Sequence, residues 1–145
     1  MIGNEAIPGD RMGELDGAIL LIDDNAVQAA ARQTILKRAG YKVIPALNPV
    51  RALHQFQAND FPSEICLVIT DHLMPGMSGS DFVRELRKTH LQLPVLVISG
   101  LEEAEELYQD LDVHFRLKPL MPEHLLASVN DLINADRARA QQVQT

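Results

Sequence analysis

Four points along the chain set a polar group directly after an apolar run. The clearest is Leu67-Val68-Ile69-Thr70-Asp71-His72-Leu73-Met74-Pro75-Gly76-Met77-Ser78-Gly79, an apolar strand that ends on one carboxylate and opens into a Pro/Gly loop. Asp23-Asp24 follows the run at 19–22, Ser99-Gly100 follows 95–98, and Lys118-Pro119 follows 113–117. An acid at the rim of a buried sheet suits a nucleophile or a metal ligand. Asp23, Asp24 and Asp71 at neighbouring strand ends would be three repelling carboxylates that need neutralising. A divalent oxygen-seeking cation does this well, and Mg²⁺ takes one or two carboxylates, waters and a phosphoryl oxygen. The simpler alternative is that Asp23-Asp24 caps the first helix and favours its dipole. The presence of Asp71 and Lys118 at equivalent strand ends favours a shared site.

Within that site Asp71 is chemically suited to accept phosphate, since a carboxylate forms an aspartyl-phosphate when cations neutralise the incoming oxygens. Lys118 supplies a compact positive charge, and the bond to Pro119 is of the kind that can be cis. Ser99 can donate its hydroxyl hydrogen to a phosphoryl oxygen, with Gly100 leaving space beside it. No base has an evident position to make Ser99 a nucleophile. The histidines at 54, 72, 90, 114 and 124 show no metal-ligand spacing, so neither zinc nor haem is indicated. His72, next to Asp71, is a candidate to face the mouth of the site.

The elements that must position these groups read as five βα units. Strands are expected at 18–22, 42–46, 65–70, 95–99 and 113–117; the first, third and fourth are apolar on both faces, as parallel strands covered by helices are. Asn25 is placed to cap a helix that runs to Ala39 and stops at Gly40. Asn48-Pro49 is a second cap followed by proline at the first helical position. A third helix spans about 79–89 and buries Phe82, Val83 and Leu86. A fourth, near 102–111, carries Ala104, Leu107, Tyr108 and Leu111 on one stripe, and a fifth starting at 121–123 repeats Leu125, Leu126, Val129, Leu132 and Ile133. Such alternation implies a parallel sheet with helices on both faces. Ligands of these sheets bind outside the carboxyl ends of the strands, where all the singled-out residues lie.

Composition bounds the rest. The chain has 145 residues, 46% of them hydrophobic, enough for one domain with its own core. Residues 1–17, rich in glycine, read as a flexible lead-in without the apolar region of a secretion signal. Residues 18–134 read as the folded domain and 135–145 as a polar tail or an extension of the last helix. No apolar run reaches the roughly 18–20 residues a membrane span needs. A formal net charge of −7 argues against direct binding to nucleic acid. Cys66 is the single cysteine and is read as a small buried hydrophobe rather than a redox thiol; with no internal disulfide, a cytoplasmic location is expected.

Taken together, Asp23-Asp24, the loop Asp71-x-x-Met74-Pro75-x-Met77-x-Gly79, Ser99-Gly100 and Lys118-Pro119 resemble the receiver domain of bacterial two-component response regulators, over roughly residues 18–134. The resemblance implies a doubly wound, flavodoxin-like α/β fold: a five-stranded parallel sheet in the order 2-1-3-4-5 with five helices. It implies Asp71 as phosphoacceptor, and Mg²⁺ held by Asp24, Asp71 and the backbone carbonyl of Leu73, with Asp23 acting mainly through water. Ser99 and Lys118 would bind the phosphoryl group, and Phe115 would be the aromatic that turns inward on phosphorylation. The donor would be a phosphohistidine on a sensor histidine kinase or a histidine phosphotransfer protein.

A downstream protein target is implied without being identified, and a phosphorylation-driven homodimer is left open. The chain would not be a turnover enzyme, and it would act alone or as a piece of a larger regulator or hybrid kinase. Two further readings stand beside this one. One is a degenerate receiver that only binds partners, against which the complete residue set speaks. The other is an Asp-nucleophile phosphatase, which generally has a second Asp where Leu73 stands.

Three features depart from the family pattern. Leu73 and Leu101 occupy positions that often carry polar groups, which predicts a long-lived phosphoryl group. The segment from Ser99 to Lys118 is short, which predicts a truncated or displaced fourth helix. Glu102, Glu103, Glu105 and Glu106 make that helix start acidic, read as a solvated face that complements the helix dipole, with docking of a basic partner as the alternative.

Overall fold

The computed structural model describes residues 17–144. The expected lead-in therefore falls, apart from Gly17, outside the described residues. Five strands, β1 (Ala18–Ile22), β2 (Val43–Ala46), β3 (Ile65–Asp71), β4 (Val95–Ser99) and β5 (His114–Leu117), alternate with helical segments. These are α1 (Ala26–Arg38), α2 (Pro49–Ala58), α3 (Gly79–Leu86), the 3₁₀ helix η1 (Glu102–Tyr108) and α4 (Pro122–Gln144). The strands form one parallel sheet in the order β2-β1-β3-β4-β5.

Strand periodicity divides the core into two. Successive side chains leave a strand on opposite faces, so Leu20, Ile22, Val68, Val95 and Val97 enter a cluster with Ala52, Leu53 and Phe56 of α2 and Phe82, Val83 and Leu86 of α3. Ile19, Leu21, Leu67, Ile69, Leu96 and Ile98 enter the other, with Leu36 of α1 and Leu125, Val129 and Ile133 of α4. Cys66 is partly buried against this second cluster. Continuous apolar runs in β1, β3 and β4 follow directly, because both faces of each strand are covered. Pro45 sits in β2 opposite Leu21, on the sheet edge where a missing N–H is tolerated.

The helix starts are fixed by side-chain caps. Asn25 accepts from the Gln28 amide at 3.0 Å, Asn48 from Arg51 at 3.1 Å, and Ser78 from Asp81 at 3.1 Å. Helix α1 stops before Gly40, whose φ of 100° lies in the left-handed region.

The fourth helical segment differs from the sequence expectation of an α-helix over 102–111. It is a 3₁₀ helix ending at Tyr108, and Leu107 is 50% exposed while Ala104, Tyr108 and Leu111 are buried. The connection between β4 and β5 is short. A 3₁₀ helix rises about 2.0 Å per residue against about 1.5 Å in an α-helix, so the same residues reach further along the sheet.

Candidate functional site

Sheet register brings the polar groups together. Ile22 of β1 pairs with Thr70 of β3, so Asp23 and Asp71, one residue on, emerge side by side. Asp71 pairs with Ile98, which puts Ser99 next to it on β4, and Ser99 pairs with Leu117, which puts Lys118 next on β5. The Lys118 amide donates to the Ser99 carbonyl at 2.8 Å, and the Lys118-Pro119 bond is cis. A parallel sheet in this order delivers residues distant in sequence to one carboxyl edge.

Asp71 is 6% exposed. Its Oδ2 accepts from the Lys118 ammonium at 2.7 Å and its Oδ1 from the His72 amide at 2.8 Å. Asp23 is fully buried and Asp24 is exposed. One carboxylate oxygen from each of Asp23, Asp24 and Asp71 lies within 4.8 Å of the others. Three acidic oxygens at that spacing, open to solvent through Asp24, suit a hard divalent cation such as Mg²⁺.

Ser99 is buried beside this cluster. Its hydroxyl oxygen accepts from the Leu101 amide at 2.9 Å and the hydroxyl faces the Leu101 carbonyl at 3.4 Å. A Cβ at Gly100 would meet no atom within 4 Å. Leu73, two residues beyond Asp71, is 61% exposed, and Leu101 is also exposed. Phe115 on β5 is half-buried, packed against the α2/α3-side core with its ring 5.8 Å from that of Tyr108.

His72 lies elsewhere than at the mouth of the site. It is 6% exposed and its Nδ1 is 2.7 Å from the hydroxyl of Tyr108, ring against ring at 5.6 Å. Strand direction explains this: the side chain after Asp71 leaves on the opposite side, into the space beneath η1. Gly79 closes the same space. A Cβ there would collide with the Asp71 backbone oxygen and lie 2.6 Å from the Tyr108 hydroxyl, so only glycine lets the loop return this closely. Burial, followed by the Asp71 and Asp81 carboxylates, raises the Tyr108 pKa well above the ordinary phenol value.

Two residues of α1 join the site without having been anticipated. Gln28 Nε2 donates to Asp23 Oδ2 at 2.7 Å and reaches Asp71 Oδ2 at 3.5 Å. Arg32 Nη1 pairs with the same Asp23 oxygen at 3.1 Å. Their signal was present in the sequence: Asn25, Gln28 and Arg32 stand at spacings of three and four, one stripe of a helix whose cap adjoins Asp23.

Sheet order and the carboxyl-edge cluster define the doubly wound, flavodoxin-like class of α/β proteins. The family model for the response regulator receiver domain matches residues 19–130, and the chain belongs to this family of two-component signalling domains. Among curated relatives, the sensor kinase CckA of Brucella abortus is 30% identical over 129 residues, covering 86% of this chain and 13% of CckA. The first curated relatives are all longer, the chain spanning 13% to 56% of their length.

Among solved structures, a receiver domain protein from Clostridium thermocellum is similar at 27% identity and TM-score 0.75, over 83% of this chain and 97% of that one. The response regulator TrrA of Thermotoga maritima, solved in complex with Mg(2+)-BeF, is similar at 25% identity and TM-score 0.70, over 79% of this chain and 97% of that one. Among the described residues no helix is long and apolar enough to cross a membrane.

Proposed function

We propose that the chain is the phosphoacceptor module of a two-component phosphorelay, with Asp71 taking a phosphoryl group from a phosphohistidine on a sensor kinase or phosphotransfer protein. The observation that carries this reading is the pairing of Asp71 Oδ2 with Lys118 at 2.7 Å beside the oxygens of Asp23 and Asp24. An Asp71 carboxylate oxygen forms the new O–P bond as the donor's N–P bond breaks. The departing imidazole nitrogen keeps the electron pair and takes up a proton. Lys118 balances the charge of the transferred oxygens, and catalysis needs little beyond alignment and charge. Asp24, Asp71 and the Leu73 carbonyl would hold Mg²⁺, with Asp23 acting through water, and the bound ion would supply further positive charge to those oxygens.

The hydroxyl of Ser99 then exchanges its Leu101 partners for a phosphoryl oxygen. Phe115 turns into the space this opens, remodelling the face made by η1, β5 and α4 for a downstream protein. Pro119 and Gly100 shape the backbone around Lys118 and Ser99. The leucines at 73 and 101 offer no polar group to steer an attacking water, so the phosphoryl group is long-lived. The module spans 18–134, works in the cytoplasm without touching nucleic acid or membrane, and performs no turnover chemistry. It acts alone or as one part of a longer regulator or hybrid kinase.

Incubating the chain with MgCl₂ and acetyl phosphate tests this. A stable mass gain mapped to Asp71, absent in Asp71→Asn, is expected. Continuous release of free phosphate would point to a phosphatase instead, and no modification to a partner-binding domain only; either result refutes the proposal.

A further inference from the structure

We infer that Arg32, which shares one Asp23 oxygen with Gln28, is a resident counter-cation of the acid cluster and competes with a divalent cation for Asp23. The inference rests on the reading of this cluster as a metal site. Both oxygens of Asp23 are already engaged: Oδ1 accepts from the Asn25 amide at 2.9 Å, and Oδ2 accepts from Gln28 at 2.7 Å and Arg32 at 3.1 Å. A carboxylate oxygen has two lone pairs, so these two donors fill Oδ2.

The pairing is enclosed, since the Arg32 side chain is 11% exposed and that of Asp23 is fully buried. Guanidinium is the cation best suited to such a place, being planar and weakly hydrated. Burial pushes the Arg32 pKa down, while Asp23 and Asp71 act in the opposite direction. The charge pairs are thus divided across the site, Lys118 on Asp71 and Arg32 on Asp23.

Without Arg32, the repulsion among three carboxylates whose oxygens lie within 4.8 Å would be relieved mainly by Lys118 and by an added cation. With it, part of that relief is built into α1. A divalent ion entering the cluster meets a positive charge already in contact with Asp23, and the water through which it would reach that carboxylate must displace the guanidinium. Arg32 acts through Asp23 and is a positioning residue that sets how much Mg²⁺ the site requires.

Calorimetric titration of the full chain with MgCl₂, comparing wild type with Arg32→Met and Arg32→Lys, tests the idea. Arg32→Met is expected to bind Mg²⁺ about tenfold more tightly, because a charge next to the ligand is gone. Arg32→Lys, which keeps the charge, is expected to return close to wild type. Equal or weaker binding by Arg32→Met overturns the inference while leaving the metal site standing. Absence of Mg²⁺ binding in every variant overturns both.

A measurement on the unaltered protein guards against misfolded variants. The Arg32 side-chain resonances in ¹⁵N-resolved NMR should be slowly exchanging without Mg²⁺, then shift and lose protection as the ion is added. Resonances unchanged at saturating Mg²⁺ would show that the guanidinium never leaves Asp23, and the inference fails.

Discussion

The bond between His72 and Tyr108 joins the residue beside Asp71 to η1, and its contribution can be worked from the structure. Both side chains are buried, the Nδ1 to hydroxyl distance is 2.7 Å, and the Tyr108 ring is held by the α2/α3-side core and by Phe115. Tyr108→Phe keeps that ring and removes one oxygen, leaving His72 Nδ1 buried without its partner. Stranding a buried polar group costs about 1–3 kcal/mol. His72→Leu strands the Tyr108 hydroxyl instead, at about the same cost plus roughly 0.5–1.5 kcal/mol for the lost ring contact.

Because the double variant strands neither group, its loss should fall short of the sum of the two by about 1 kcal/mol or more. Urea unfolding of the four proteins, with unchanged m-values, gives the cycle. Additivity within about 0.5 kcal/mol would refute the claim that these two atoms depend on one another.

The same variant has a pH signature. Tyr108 in the folded chain holds its proton above the ordinary value of 10.0, chiefly because it is buried. The unfolded chain releases that proton first, so this part of the stability is complete below about pH 10 and declines as pH rises further. Tyr108→Phe should lessen the alkaline decline. An identical slope in both proteins would count against the burial argument.

Two further expectations concern the loops around the site. Gly79→Ala should destabilise the fold by about 1–3 kcal/mol, since its methyl group meets backbone atoms of Asp71 and His72 as well as the Tyr108 hydroxyl. Gly100→Ala, with nothing within 4 Å, should stay within about 0.5 kcal/mol of wild type. Thermal unfolding separates them, and equal midpoints would contradict the packing described. At the rim, Leu73→Glu should shorten the life of phosphorylated Asp71 several-fold by offering a polar side chain to orient water. Decay of the labelled phosphoprotein measures this, and equal half-lives would remove the role given to the leucine.

Much of the architecture was legible because local signals and global fold agree. Apolar runs at β1, β3 and β4 match strands covered on both faces, and Asn25 and Asn48 are caps whose side chains bond the helix starts directly, whereas the Ser78 cap of α3 emerged only in the structure. The segment near 102–111 reads as α-helical because its apolar spacing fits that period, and its short connection predicts a truncated helix; the chain forms the 3₁₀ helix η1, which ends at Tyr108. His72 adjoins Asp71 in sequence yet faces Tyr108 rather than the mouth of the site, because adjacent strand residues point apart.

The sequence by itself determined which groups are available and that each stands at the end of a strand: the acids at 23, 24 and 71, the hydroxyl at 99 and the ammonium at 118. Only the tertiary structure decided their partners. Sheet register set Asp71 against Lys118, and the packing of α1 laid Gln28 and Arg32 onto Asp23. The reason is physical: strand and helix periods act over neighbouring residues. Contacts between residues 47 positions apart, as Asp71 and Lys118 are, depend on how elements stack, which no local pattern encodes.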